Sequence, residues 1–524
     1  DWVEVELIPH RMKDTIHKGL VARKLGRVGS IDSDMQAVMV EFSLPAPYTA
    51  EQDEEASTLQ PRKIDRVDLS KLFCVTIDPH DAKDFDDAVS IKDGKKPGIV
   101  ELGIHIADVA AWIAPGSKWD NEARFRSFTS YLPGLTLPML PKSLTRLISL
   151  TPDKLSLAHT VILSVKKDTG EIVGAKRCHS KLKITRRLTF DEVQSFIDGK
   201  APDEWDDKFR GKMRELVELS LKMRNYRKKT EKFLELSIPE IKVLCDFQKM
   251  EIIGLERRVQ RQSDNLVEDS MLAANSRVAE ELIEKSIPGL FRIHPEPNPE
   301  KLEDFYVFVS RTFGFFPGDL TSRTACNKFI ETLPDDHKKP IILGAFLRSL
   351  PRASYHEESQ IHYGLGKYKY SHFTSPIRRY PDLVVHQQLW AFDTKDRLRS
   401  KKTISKYAVE CSEKEANNDD AYYSATDRLK LKYLEQENSK APGSLYEGLI
   451  TKITSSGLMV DITQLGVYGF VPVEYLGGRF KYNKQESNLR AERGKQGYKC
   501  GDFIFLHLDR IDFIHGAAIF RPVH

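Results

Sequence analysis

The six cysteines of this 524-residue chain, at 74, 178, 245, 326, 411 and 500, form no C-x-x-C pair. That spacing excludes a zinc ribbon and a disulfide framework and fits a reducing compartment, the cytoplasm or an organellar matrix. No apolar run approaches the ~20 residues that a membrane-spanning helix needs. There is no G-x-x-x-x-G-K-[ST] loop and no complete G-x-G-x-x-G, since "YGLGKY" (363 to 368) lacks the third glycine. Nucleotide hydrolysis on a phosphate loop therefore has no support. No signal-peptide pattern precedes Asp1. The abrupt opening "DWVEVELIP" has the alternation of a strand, and the expectation is a fragment that starts inside a small β-domain.

What is present is ordinary for a water-exposed protein, with 40% apolar and 30% charged residues. The length exceeds what one hydrophobic core usually supports, so a large central domain with attached modules is expected. The net charge of +4 is small, but the basic residues cluster at 10 to 27, 209 to 229, 375 to 380 and 479 to 499. Interleaved aromatics and hydroxyls in these stretches suit a phosphate backbone. The 209 to 229 stretch reads equally as a solvated helix face, because Glu215 and Glu218 are mixed in at helical spacing.

Patterning divides the chain into five parts and predicts an α+β multidomain protein. Residues 1 to 45 read as strands "WVEVELI", "GLVARKL" and "QAVMVEF", part of a small barrel. The acidic, proline-bounded stretch 46 to 64 reads as a surface linker. Residues 65 to 395 mix strands such as "VELGIHIADV" with apolar-periodic helices such as 264 to 285, a mixed α/β core. Residues 396 to 440 extend it with a long helix, since 404 to 440 hold neither proline nor glycine. From 441 to 524, short strands with glycine turns predict an OB-type barrel that binds single-stranded nucleic acid.

The densest chemistry is "CVTIDPHDAKDFDDAVSI" (74 to 91), with Asp78, Asp81, Asp84, Asp86 and Asp87 inside ten positions. Like charges this close raise one another's pKa unless a cation or a donor network neutralises them. Asp78 ends a strand-like run and Asp84, Asp86 and Asp87 follow from the next turn, so four carboxylates can converge, a hard-oxygen set suited to Mg²⁺ or Mn²⁺. A calcium loop fails, because counting from Asp84 the sixth position is Val89 and the twelfth is Lys95. The bland alternative is a solvated acidic turn.

Five stretches in order, "TIDPHDAKDFDDAV" (76 to 89), "GIHIADVAAWIAPGS" (103 to 117), "SYLPGLTLPMLPKSL" (130 to 144), "LVEDSMLAANSRVAEEL" (266 to 282) and "YSHFTSPIRRYPDLVVHQQL" (370 to 389), resemble the signatures of the ribonuclease II and ribonuclease R family of exoribonucleases. "EGLITKITSSGLMVDI", in the tail from 445, resembles that family's C-terminal OB-type RNA-binding domain, and residues 1 to 45 resemble the end of its cold-shock barrel.

The resemblance implies a processive 3′-to-5′ hydrolytic exoribonuclease that releases nucleoside 5′-monophosphates from single-stranded RNA with two divalent ions, Mg²⁺ or Mn²⁺. Carried onto matching positions, it makes Asp78, Asp84, Asp86 and Asp87 the metal-site aspartates and Arg378 the arginine that contacts the phosphates at the scissile bond. Tyr131 stacks on the 3′-terminal nucleotide and Glu268 lies near the last ribose. Arg379 is divided between phosphate contact and structural pairing. His105, His372 and His386 are expected to be structural, and Asp81 an exposed turn residue. Phe190 stands where many members have Tyr, and Met459 where a Phe is usual. A family glutamate from the helix around 411 to 425 has no clear counterpart, Tyr422 falling near it. A monomer is expected, with a place in an RNA-degradation complex left open. The alternative class is a catalytically idle RNA-binding regulator on the same fold.

Overall fold

The computed structural model describes residues 1–8, 18–236, 240–246, 251–483, 488–492 and 497–523. At its centre lies a seven-stranded sheet in the order Arg186–Thr189, Cys74–Asp78, Asp87–Asp93, Ile99–Ala107, Leu155–Lys166, Ile172–Lys183 and Val67–Asp68. The two outermost pairs are parallel and the four inner pairs antiparallel. The central strands are buried on both faces, which is why "IVELGIHIA" reads as an almost unbroken apolar run rather than an alternating one.

Helices supply the cover. Ile104, Leu163 and Val165 share a core with Ala274 and Val278 of the helix Gln262–Glu284 and with Leu383 and Val384 of the helix Tyr380–Thr394. The expected helix at 264 to 285 and the long one at 404 to 440 are both present, the latter as Lys401–Lys440, begun by Ser400 accepting from the Thr403 N–H. The basic 209 to 229 stretch lies in the helix Asp207–Glu231, capped by Asp206 and burying Met213, Leu216 and Met223, so it is first of all a packed helix.

Two expectations at the N-terminal end need correction. "QAVMVEF" is not a strand: most of it belongs to the helix Ile31–Glu41. Ile31, Met35 and Val38 recur at helical spacing and bury against Ala421, Ala425 and Leu429 of the long helix, and that tertiary packing outweighs the β-propensity of the valines. The described residues of 1 to 45 therefore make a two-stranded hairpin, Trp2–Leu7 with Gly19–Gly26, and one helix.

The stretch 46 to 64, read as a surface linker, is tied to the residues that follow it. It carries the helix Ala50–Ser57 with a capping box of Thr49 and Gln52. Tyr48 donates to the Met139 carbonyl at 2.6 Å and Arg126 stacks 3.7 Å over the Tyr48 ring.

At the C-terminal end, Tyr446–Thr454, Gly457–Ile462, Val467–Pro472, Ala517–Pro522 and Phe503–Asp512 close a five-stranded barrel. Its core includes Leu431 and Leu434 from the long helix. Parts of the basic segments 10 to 27 and 479 to 499 lie outside the described residues.

Candidate active site

The aspartates sit at one end of the central sheet. Asp78 is the last residue of its strand and Asp87 the first of the next, with Asp84 and Asp86 on the connection between them. That connection is held from several sides. The Ala107 N–H donates to the Asp86 carbonyl at 2.8 Å, and the Leu150 N–H to that of Phe85 at 3.0 Å. The Arg187 guanidinium donates to the His80 carbonyl at 2.9 Å and lies 4.7 Å over the Phe85 ring. Arg187 reaches there because Thr189 pairs with Asp78 across a parallel register. Local sequence gives no signal for so distant a pairing, and Arg187 is absent from the set of site residues expected from the sequence. Asp81 is exposed, as expected.

The "SPIRRY" segment closes over the aspartates. Asp86 is 5% exposed; its Oδ1 accepts the Ile377 N–H at 2.8 Å, and Arg378 Nε stands 3.5 Å from its Oδ2. Arg378 also donates to Ser375 Oγ at 3.0 Å and keeps much of its guanidinium in solvent. Asp382 shapes this turn, accepting from the Ser375 N–H at 2.9 Å and from Arg379 Nη2 at 2.7 Å. Arg379 pairs with Asp382 through Nη2, its Nε has no hydrogen-bond partner in the protein, and its side chain is largely buried.

Tyr131, on the strand Ser130–Leu132, donates its hydroxyl to Asp84 Oδ2 at 2.7 Å and leaves 42% of its surface exposed. Glu268 lies on the helix Gln262–Glu284, its carboxylate held by Gln260 Nε2 at 2.6 Å and, more loosely, by Arg224 Nη1 at 3.4 Å. The same helix is tied to the arginine segment by Asn275, whose Oδ1 accepts the Phe373 N–H at 2.9 Å. His105, His372 and His386 are engaged by Thr160 and Ser90, by Tyr355, and by the Phe373 carbonyl.

Burial raises three of the four aspartates, Asp78, Asp86 and Asp87, and mutual repulsion adds to it at Asp78 and Asp86. Burial, then the neighbouring Asp87, pushes Asp78 up to about 7. Burial pushes Asp87 to about 6 against the pull of Arg378 and Arg379. Asp86 is driven well above the usual carboxylate range by burial, with Arg378 opposing and Asp84 adding to it. Asp78 Oδ2 is buried with no hydrogen-bond partner. An orphaned buried oxygen among carboxylates that repel one another is what a hard cation relieves, so the residues fit a divalent ion. They are neighbours rather than a closed cage. Among the described residues, the triads whose ligand atoms all fall within 4.8 Å of one another lie elsewhere, at Asp108, His159 and His386 and at His159, His179 and Asp393.

Fold and site together define a mixed α/β domain with a buried carboxylate cluster at one end of its central sheet, and comparison gives it a family. The RNB domain matches residues 66–395, and the chain belongs to the RNB family, that of ribonuclease II and ribonuclease R. It is 30% identical over 523 residues to the ribonuclease R of Thermotoga maritima, covering 95% of this chain and 72% of that protein. Among solved structures it resembles the apo RNase R of Mycoplasma genitalium, with a TM-score of 0.90 and 26% identity over 99% of this chain and 82% of that one. The same Mycoplasma protein in complex with ribose methylated single-stranded RNA aligns with a TM-score of 0.88 and 26% identity, over 97% and 80% of the two chains.

Proposed function

We propose that this chain is a processive 3′-to-5′ hydrolytic exoribonuclease that degrades single-stranded RNA to nucleoside 5′-monophosphates. The observation that carries the reading is the buried Asp86 clamped between the Ile377 N–H and Arg378, beside Asp84 and Tyr131, in a chain of the RNB family. The RNA complex of the Mycoplasma relative supports RNA as the ligand.

Asp78, Asp84, Asp86 and Asp87 would hold divalent ions, two of Mg²⁺ or Mn²⁺. Bound there, such ions supply a hydroxide at neutral pH and neutralise the attacking and leaving oxygens of a displacement at phosphorus. The chain's own groups do the rest. Arg378, oriented through its Nε by Asp86, turns its free guanidinium N–H groups to the phosphate oxygens and stabilises their charge. The exposed face of Tyr131 receives the terminal base by stacking, which tolerates any sequence. Glu268 accepts from a 2′-hydroxyl, which separates RNA from DNA. The five-stranded barrel acts as the OB-type module that grips upstream RNA. No helix among the described residues is long and apolar enough to cross a membrane, and a cytoplasmic monomer is the setting we propose.

The test follows a 5′-labelled single-stranded RNA of about 30 nucleotides on a sequencing gel with Mg²⁺, with EDTA, and beside a DNA copy. Stepwise shortening to a small labelled core, only on RNA and only with the ion, is the expected result. Intact RNA that is retarded in a binding gel would overturn it in favour of the idle RNA-binding regulator.

A further inference from the structure

Behind the candidate site, five elements bring a second polar cluster together in the core. Asp108 follows the strand Ile99–Ala107, His159 lies on Leu155–Lys166, and Arg177 and His179 on Ile172–Lys183. Glu281 comes from the helix Gln262–Glu284, and His386 and Asp393 from the helix Tyr380–Thr394. Asp108, His159 and His386 are each 0% exposed, and one ligand atom of each lies within 4.8 Å of those of the other two. Asp108 Oδ1, His159 Nδ1 and His386 Nδ1 have no hydrogen-bond partner in the protein. A buried polar atom left unsatisfied is costly, so three in one cluster call for a ligand.

The partners on the far side of each group decide which ligand. Arg177 Nη1 lies 2.7 Å from His159 Nε2, and a guanidinium only donates, so Nε2 is the acceptor and the proton of the neutral ring is on Nδ1. His386 Nε2 lies 2.8 Å from the Phe373 carbonyl, which only accepts, so that ring carries its proton on Nε2 and a lone pair on Nδ1. Asp108 Oδ2 accepts from His179 Nδ1 at 2.9 Å and forms an ion pair with Arg66, whose Nη2 stands 2.8 Å away, leaving Oδ1 as an acceptor. The three free atoms are therefore one donor and two acceptors. A metal ion is the wrong ligand, because His159 presents N–H rather than a lone pair, and Arg177 and Arg66 already supply positive charge. Ammonium is wrong as well, having no lone pair to receive that proton.

We propose that Asp108, His159 and His386 bind one internal water molecule, which accepts from His159 Nδ1–H and donates to Asp108 Oδ1 and His386 Nδ1. Three partners are what a buried water usually has. Its place in the fold links it to the candidate site. Asp108 follows Ala107, whose N–H holds the Asp86 carbonyl, and His386 sits on the helix that begins after Arg379 and binds Phe373 in the arginine segment. The water thus joins the side of the site that carries Asp86 to the side that carries Arg378, and His386 is a positioning residue.

The primary test uses the unaltered protein and does not depend on any nuclease activity. In selectively ¹⁵N-histidine-labelled protein, His159 is expected to be protonated on Nδ1 and His386 on Nε2, with a cross-peak from the His159 N–H to a long-lived water. A high-resolution crystal structure is expected to show one water bonded to all three atoms. A His159 protonated on Nε2, an anomalous metal signal there, or a direct His159 to Asp108 bond with no water overturns the proposal. The positioning role is read from two variants. His386→Phe keeps the ring packing and is expected to lower kcat about tenfold with KM unchanged, whereas His386→Gln keeps a donor and an acceptor and is expected to restore it. Equal kcat in the wild type and the Phe variant would remove that role.

Discussion

The backbone N–H of Thr129 donates to the carbonyl of Arg378 at 3.0 Å. This bond ties the strand that presents Tyr131 to the segment that presents Arg378, although they are far apart in the chain. Phe128 forms an isolated β-bridge with Arg379, and the Tyr380 N–H donates to Ser127 at 2.8 Å, so the junction is continuous on both sides.

Asp86→Asn should abolish cleavage, by about 10²-fold or more, while RNA affinity by fluorescence anisotropy stays within a factor of about two to three. Because Asp86 is buried among like charges, removing its charge should not lower Tm. Loss of binding together with cleavage would contradict the assigned role.

Tyr131 can be divided by substitution. Tyr131→Ala should lengthen the final labelled product by removing the stacking face, whereas Tyr131→Phe loses only the bond to Asp84 and should leave product length unchanged. Identical products from all three proteins on the gel would take Tyr131 out of the stacking role.

Without a divalent ion the site should destabilise the protein as pH rises. Asp78 and Asp87, at about 7 and about 6 in the folded state, stand above the ordinary Asp value of ~3.9. The folded chain then holds protons that the unfolded chain has released, and that contribution is lost as pH passes through the folded values. A bound ion favours the ionised forms. Mg²⁺ should therefore raise Tm more at about pH 8 than at about pH 5.5, and Asp78→Asn should shrink the difference. Differential scanning fluorimetry with EDTA and with Mg²⁺ reads it.

With Mg²⁺ present, acid should act in the opposite direction. Burial holds His105 down to about 3 and His386 to about 4, below the unfolded value of ~6.5. Their contribution is complete above ~6.5 and is lost as pH falls toward the folded values, because the unfolded chain takes up the protons first. His179 opposes this: burial lowers it, yet its bonds to Asp108 and Asp393 hold it above its usual value. Urea unfolding should show stability falling from about pH 7 to about pH 5, with a shallower slope in His105→Gln.

The sequence was most legible where function is written in local runs. The four aspartates, Arg378 and Tyr131 occur in short, ordered signatures, and the structure brings Asp84 to Tyr131 and Asp86 to Arg378. The long helices were legible because their apolar spacing persists over many turns. What escaped depends on distant chain. The helix Ile31–Glu41 owes its packed face to residues nearly four hundred positions away, and Arg187 reaches the aspartate loop only through a parallel pairing. The pairing of Arg379 depends on Asp382, three residues on, whose side chain faces inward only once the turn is folded.

Leu431 and Leu434 belong to the core of the C-terminal barrel, yet they precede the turn at Pro442 and Gly443 where patterning would cut the chain. A barrel excised at that turn would lose two of its innermost side chains and expose the apolar wall they cover. A fragment meant to fold alone must start before Leu431, inside the forty-residue helix Lys401–Lys440. A recombination joint placed at the visible loop would therefore part the barrel from two of its own core side chains.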